Sequence, residues 1–252
     1  MKLYLYGVIE GVHQQALEIK GIGGNPVFTV PCAEISAVVQ ECKEPYSAED
    51  TQLMTEWILV HQAVIDLAWE KFETVIPFSF DTIIIAKDGR SAMENLQEWL
   101  VKESTSLQEK LKTLKGKAEY GVQISWDPQL VAPRIIKNDA EIQRLQEETC
   151  QKSPGTAYLL KQKLENLLRL RLEIAADVYF KECYQKIRAS VEALQVGKTR
   201  KEEPPRQMLA NFSCLASKVD IAKLGKELEK ITQIEGLFVR FTGPWPPYSF
   251  VS

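Results

Sequence analysis

The last ten residues restrict the fold of this chain more than any other stretch. Gly243-Pro244-Trp245-Pro246-Pro247-Tyr248-Ser249-Phe250-Val251-Ser252 carries three prolines. Each fixes φ and removes a backbone donor, so the segment is neither helix nor central strand. An extended, polyproline-like tail is expected. Three aromatic rings, Trp245, Tyr248 and Phe250, ride on it. Rings contribute large buried area, so the tail is expected to dock. It follows a strand-like run, Gly236 to Phe241.

Upstream, strand and helix patterns alternate. Residues 2–9 read as a strand, Gly21 to Pro26 as a loop, and 27–30 and 35–39 as short strands broken at Pro31. A helix is expected from Tyr46-Ser47-Ala48-Glu49-Asp50 to about Phe72, with Ser47 as N-cap. Its apolar face is Leu53, Trp57, Val60, Val64, Leu67 and Ala68. A strand spans Val75 to Ala86, with Ile83-Ile84-Ile85 central in its sheet. Ser91 opens a helix reaching Leu114. This β-β-β-α-β-α order predicts a modified ferredoxin-like sandwich over residues 1–115, two helices on one face of an antiparallel sheet.

Lys115-Gly116-Lys117 marks the expected boundary to a C-terminal α+β domain, residues 116–252. There a strand (119–126) precedes a helix (140–150) and a long helix from Pro154 to about Val196, near 60 Å at 1.5 Å per residue. The long helix has one apolar stripe through Leu168, Leu172, Ala175, Tyr179, Cys183, Ile187, Val191 and Leu194. A second row holds Leu160, Leu164, Leu167, Ile174 and Val178. Such a seam is usually core and less often a partner site. Residues 197–206 read as a mobile loop. A strand (208–215), a helix (219–231) and a strand (237–241) follow, then the docked tail, 243–252.

Composition removes several function classes. With 252 residues, 45% of them hydrophobic, the chain is long enough for a buried core. A net charge of −3 argues against nucleic acid as a partner. Cys32, Cys42, Cys150, Cys183 and Cys214 are dispersed and lack a C-x-x-C pair, so buried reduced thiols are expected. No apolar run is long enough to cross a membrane, and no signal peptide is read.

The motif search rejects catalysis. Gly197-Lys198-Thr199 lacks the earlier glycine of a phosphate loop, and Gly21-Ile22-Gly23-Gly24 leads into a strand where a dinucleotide site needs a helix. His61 sits mid-helix without a metal-ligand partner and reads as packed; His13 reads as solvated. Glu147-Glu148 and Glu202-Glu203 read as solvated pairs, and the basic run at Lys198, Arg200 and Lys201 is offset by acids. No catalytic residue, cofactor or metal is expected. What remains is aromatic: Trp245, Tyr248 and Phe250 in the tail, and Tyr4, Tyr6, Phe78 and Phe80 on N-terminal strands. The plain reading is a tail that seals the protein's own groove between domains. The functional one is a partner surface that includes Trp245, Tyr248, Phe250, Phe78 and Phe80.

The closing string GLFVRFTGPWPPYSFV resembles the C-terminal signature of the GvpF/GvpL family of gas vesicle proteins. Five further blocks resemble that family in order: Lys2 to Val8, His61 to Ile65, Val75 to Ile83, Gly121 to Ile124 with Trp126, and Gly155 to Leu159. No block is specific alone; six in order across the chain are. The family often has Arg and Gly near positions 79 and 81, where this chain has Ser79 and Asp81. The resemblance, nearer to the F-type, implies a minor structural or assembly component of gas vesicles. Its implied partners are the hydrophobic shell protein and other accessory proteins, and its implied place is the vesicle, reached from the cytoplasm. The alternative is a small-molecule-binding regulator or enzyme built on ferredoxin-like domains.

Overall fold

The computed structural model describes residues 1–47 and 50–251. Its elements run β1 (Lys2–Glu10), β2 (Ala16–Lys20), β3 (Pro26–Cys32), β4 (Ile35–Cys42), α1 (Thr51–Phe72), β5 (Val75–Pro77), β6 (Ile83–Ile84), α2 (Ala92–Leu114), β7 (Lys117–Trp126), α3 (Pro128–Asn138), α4 (Ala140–Cys150), α5 (Pro154–Arg188), β8 (Ala193–Val196), β9 (Gln207–Ser217), α6 (Lys218–Thr232) and β10 (Leu237–Trp245). The fold is α+β. Contacts divide it into two compact units, Met1–Glu119 with Pro244–Ser252, and Tyr120–Gly243. The tail, assigned to the C-terminal domain from sequence, therefore packs with the first unit.

The first unit is built on a sheet of order β2-β3-β4-β1-β5, with β6 also paired to β1. β1 pairs antiparallel with β4, β5 and β6, and β3 antiparallel with β2 and β4. β1 is buried from Leu3 to Ile9 and β4 from Ile35 to Gln40, so both faces of the sheet centre are covered. Side chains alternate along a strand. Tyr4, Tyr6, Val27 and Val38 join Val64, Ile65 and Ala68 of α1 in one core. Phe28 and Val30, of opposite parity, border a cleft with Met93 and Gln97 of α2. The helices thus lie on opposite faces, not on one as the sandwich reading expected.

Local chemistry explains the other departures. α1 starts at Thr51, not near Ser47, because Asp50 is the cap: its Oδ1 accepts the N–H of Gln52 at 2.8 Å and of Leu53 at 3.3 Å. Ala48 and Glu49 of the expected helix start, and Ser252 of the tail, lie outside the described residues. β2 was not foreseen; only Leu17 of its five residues is buried, so its hydrophobic signal is slight. β3 runs through Pro31, which pairs with Ser36. The expected strand 75–86 is split, since residues 78–82 leave the sheet and Asp81 takes φ 62°. β6 pairs only with β1 and Ile85 is exposed, so the triple isoleucine is not central. α2 begins as read, with a reciprocal Ser91–Glu94 capping box.

The second unit has the sheet β10-β7-β9-β8. Val122, Ile124 and Trp126 of β7 and Phe212 and Cys214 of β9 share a core with Leu224, Leu228 and Ile231 of α6 and with Cys183 and Ile187 of α5. α3 was missed: Asp127-Pro128 does end β7, but Asp127 also caps a helix, accepting the Gln129 N–H at 2.8 Å, with Pro128 in the first turn. α5 ends at Arg188, short of Val196; its 35 residues span about 52 Å. Residues 193–196 pair with β9, Ala193 opposite Leu215 and Val196 opposite Phe212. Strand pairing there overrides helical periodicity, so Val191 and Leu194 do not continue the helix stripe.

Candidate partner-binding surfaces

A buried polar network organises the first unit. Tyr4 and Tyr6 project from β1 toward α1, where His61 is 4% exposed. The Asp81 N–H donates to the Tyr4 hydroxyl at 2.9 Å, which sits 2.8 Å from His61 Nδ1. Burial pulls the His61 pKa down to about 4, and a backbone hydrogen bond to Phe78 opposes that shift only in part. Neutral His61 therefore accepts a hydrogen bond from the Tyr4 hydroxyl at Nδ1. The Tyr6 hydroxyl donates to Gln40 Oε1 at 2.5 Å and accepts the Ile22 N–H at 3.2 Å. Gln40 Nε2 donates to the Ile22 carbonyl at 3.1 Å and to the Tyr46 hydroxyl at 2.7 Å. Burial raises the pKa of Tyr4, Tyr6 and Tyr46, which stay neutral.

Two backbone positions make this network possible. A Cβ at Gly21 would strike Gln40 Oε1 and stand 2.5 Å from the Tyr6 hydroxyl. Asp81, where the family resemblance has glycine, is in the left-handed region, which Asp tolerates better than most residues. Its Oδ1 accepts the Tyr46 N–H at 2.9 Å. The Asp side chain thus ties the loop after β5 to the approach to α1.

The tail is held by polar bonds as well as rings. β10 runs through Pro244 to Trp245 as an edge strand, a place where proline is allowed. Pro246 and Pro247 are buried, and a single 3₁₀ turn covers Tyr248–Phe250. The expected polyproline-like tail is thus an edge strand followed by a turn. The Tyr248 hydroxyl donates to Gln62 Oε1 of α1 at 2.9 Å. Glu119 accepts the Ser249 N–H at 2.7 Å and its hydroxyl at 2.6 Å. Lys110 of α2 donates to the Val251 carbonyl at 2.7 Å.

The five aromatic candidates separate. Tyr248 and Phe80 both pack on the α1 core of the first unit, and Phe80 lies edge-on to Tyr4 and His61. Phe78 meets Trp99 of α2 edge-on at 5.7 Å. Phe250 is half-buried, and Trp245 is 46% exposed. The network residues Gln40, Tyr46 and Asp81 escaped sequence reading; they are ordinary polar residues whose meaning depends on pairing across the sheet.

Other sequence readings change. His13 is half-buried, its Nε2 donating to the Glu10 carbonyl at 3.0 Å and its ring 4.7 Å from Phe72. Glu202 is not simply solvated: Oε1 accepts the Ser125 hydroxyl at 2.6 Å, and Oε2 is buried without a partner. Residues 197–206 hold no helix or strand; Arg206 lies 3.8 Å over the Phe238 ring. Cys42, Cys183 and Cys214 are buried, but Cys32 is half-buried and Cys150 exposed. Among the described residues no cluster of His, Cys, Asp and Glu is arranged for a metal, and no helix is long and apolar enough to cross a membrane.

α5 offers a different kind of surface. Within the helix only Cys183 and Ile187 are buried, both near its C-terminal end. Leu172, Ala175 and Tyr179 of the first stripe pack on the second core. Of the second row, Ile174 is 48% and Val178 47% exposed, while Leu160, Leu164 and Leu167 are half-buried; Leu170 at 49% and Leu159 at 64%, outside that row, are exposed as well.

Comparison with known proteins bears on what such surfaces serve. The profile described as "Gas vesicle synthesis protein GvpL/GvpF" matches residues 2–252. The chain is 29% identical to gas vesicle protein L1 of Halobacterium salinarum, covering 98% of this chain and 89% of that one. It is also 29% identical to gas vesicle protein F of a Streptomyces species, covering both in full. Identity thus supports the family as a whole and does not favour the F-type. The fold matches crystal structures of GvpF from Anabaena (TM-score 0.76, 17% identity, 100% of this chain and 98% of that one) and from Microcystis aeruginosa (TM-score 0.67, 17% identity, 100% and 99%). A profile match over nearly every residue, with the six sequence blocks in family order, places this chain in the GvpL/GvpF family of gas vesicle proteins.

Proposed function

We propose that this protein is a minor structural or assembly component of gas vesicles that binds the hydrophobic shell protein and other accessory proteins while the vesicle forms. Family membership supports the gas vesicle role. The observation that supports a binding role is the edge position of β10. It is the last strand of its sheet, Arg240 and Phe241 are exposed on it, and Trp245 is exposed at its end. An apolar subunit needs a partner that covers its surface before assembly, and a strand edge with aromatic side chains supplies backbone donors and apolar area together. No catalytic step is required. The displaced carboxylates Glu94, Asp139 and Asp220 all lie at helix starts, held low by serine or arginine hydrogen bonds, so they do not favour an enzyme reading.

Capture of the shell protein by purified chain, with Trp245→Ala and Tyr248→Ala alongside, tests this. Trp245→Ala is expected to weaken capture with an unchanged melting temperature. Tyr248→Ala is expected to lower the melting temperature. Undiminished capture by both variants moves the contact away from the tail, and no capture by the native chain defeats the assembly reading.

A further inference from the structure

The outer face of α5 carries both an apolar stripe and a charge pattern. Leu159, Lys163, Leu167, Leu170, Ile174 and Val178 recur at three- and four-residue steps, so they share one face over about 29 Å. Arg171, on the flank, is already bound to Asp139 at 2.6 Å and Glu141 at 3.1 Å. Lys163, Glu173 and Asp177 are exposed. Among the described residues none of these three forms an ion pair within the chain. Between Leu159 and Val178 the N-terminal half of the stripe is thus positive at Lys163, and the C-terminal half negative at Glu173 and Asp177; Lys181, exposed one step beyond Val178, carries a positive charge on the same face and falls opposite the neutral Thr156 in the register below.

We infer that this face pairs with the same face of a second copy, antiparallel, about a two-fold axis between residues 168 and 169. In that register Leu159 meets Val178 and Leu167 meets Leu170, each twice by symmetry. Lys163 meets Ile174, which sets its ammonium beside Glu173 and Asp177 of the second copy. A parallel pairing would put Lys163 against Lys163 and Asp177 against Asp177, so the charge pattern selects the antiparallel one. The pairing is self-complementary and closes as a dimer. Its residues belong neither to the tail nor to β10.

Two single charge reversals test the register in the full chain, by sedimentation or light scattering with circular dichroism as a check on folding. The native chain is expected to be a dimer. Lys163→Glu sets acids against acids in both halves of the interface, and Asp177→Lys sets lysines against lysines. Each alone is expected to weaken self-association tenfold or more. An equimolar mixture restores opposite charges at both positions and is expected to return to a dimer containing one chain of each kind. Leu170→Glu with Ile174→Glu is expected to give a folded monomer. A native chain that stays monomeric at high micromolar concentration overturns the inference. So does a mixture that fails to recombine, or reversals that leave the mass unchanged while abolishing capture of the shell protein.

Discussion

In the first unit, Tyr4, Tyr6, Gln40, Tyr46 and His61 bring polar atoms into an aromatic core, and each finds a partner there. On α5, aliphatic side chains stand in solvent with no such constraint. The first arrangement specifies one structure, because an unanswered buried donor or acceptor costs about 1–3 kcal/mol. The second leaves the helix stable without its outer residues, since its packing is carried by Leu172, Ala175, Tyr179, Cys183 and Ile187. A polar network inside therefore reports on folding, and an apolar row outside reports on association.

The strongest way to break this contrast is Gly21→Ala. The new methyl group displaces Gln40 and Tyr6 together, and more than one buried group loses its partner. Urea unfolding is expected to show a loss of about 3 kcal/mol. A loss below about 1 kcal/mol would mean that the network shifts without cost. Next in size is pH. Unfolded His61 takes up a proton as pH falls through about 6.5, whereas folded His61 resists until about 4. Between those values the unfolded state binds more protons, so stability falls with pH, by up to about 3 kcal/mol at the lower end. His61→Phe is expected to flatten that slope; an equal slope in the variant would assign it to other groups.

Tyr248→Phe keeps the ring and removes the bond to Gln62. A loss of about 1 kcal/mol is expected in the same unfolding measurement. Leu170→Ser sharpens the other side of the comparison. In dilute solution its melting transition is expected to stay within about 0.5 kcal/mol of the native chain. A larger drop would mean that the outer row is part of the core after all.

The sequence was legible wherever one element decides its own state. α2 and α4, with their own caps, begin where they were read. The tail's prolines kept it out of helix and central strand, and its aromatic rings implied docking. Illegible parts depend on distant partners. Asp127-Pro128 looks like a strand end and is also a helix start. Residues 193–196 continue a helical stripe until β9 offers them a ladder. The side on which α2 packs is absent from its own pattern, since β1 and β4 are buried on both faces. Trp245 and Tyr248 lie three residues apart, yet one is open and the other bound to Gln62; only the fold separates them.

The discontinuity of the first unit also bears on synthesis. Residues 1–119 and the tail from Pro244 belong together, with the second unit's residues between them. At about 5–20 residues per second, those ~125 intervening residues delay the tail by about 6–25 s. For that interval Gln62, Lys110 and Glu119 stand without the hydrogen bonds that the tail brings, and water serves in its place. A ribosome that stalls within β9 or α6 thus releases a chain whose first unit cannot be completed, however well the residues already made have folded. The order of translation makes the tail a late seal on the earliest part of the protein.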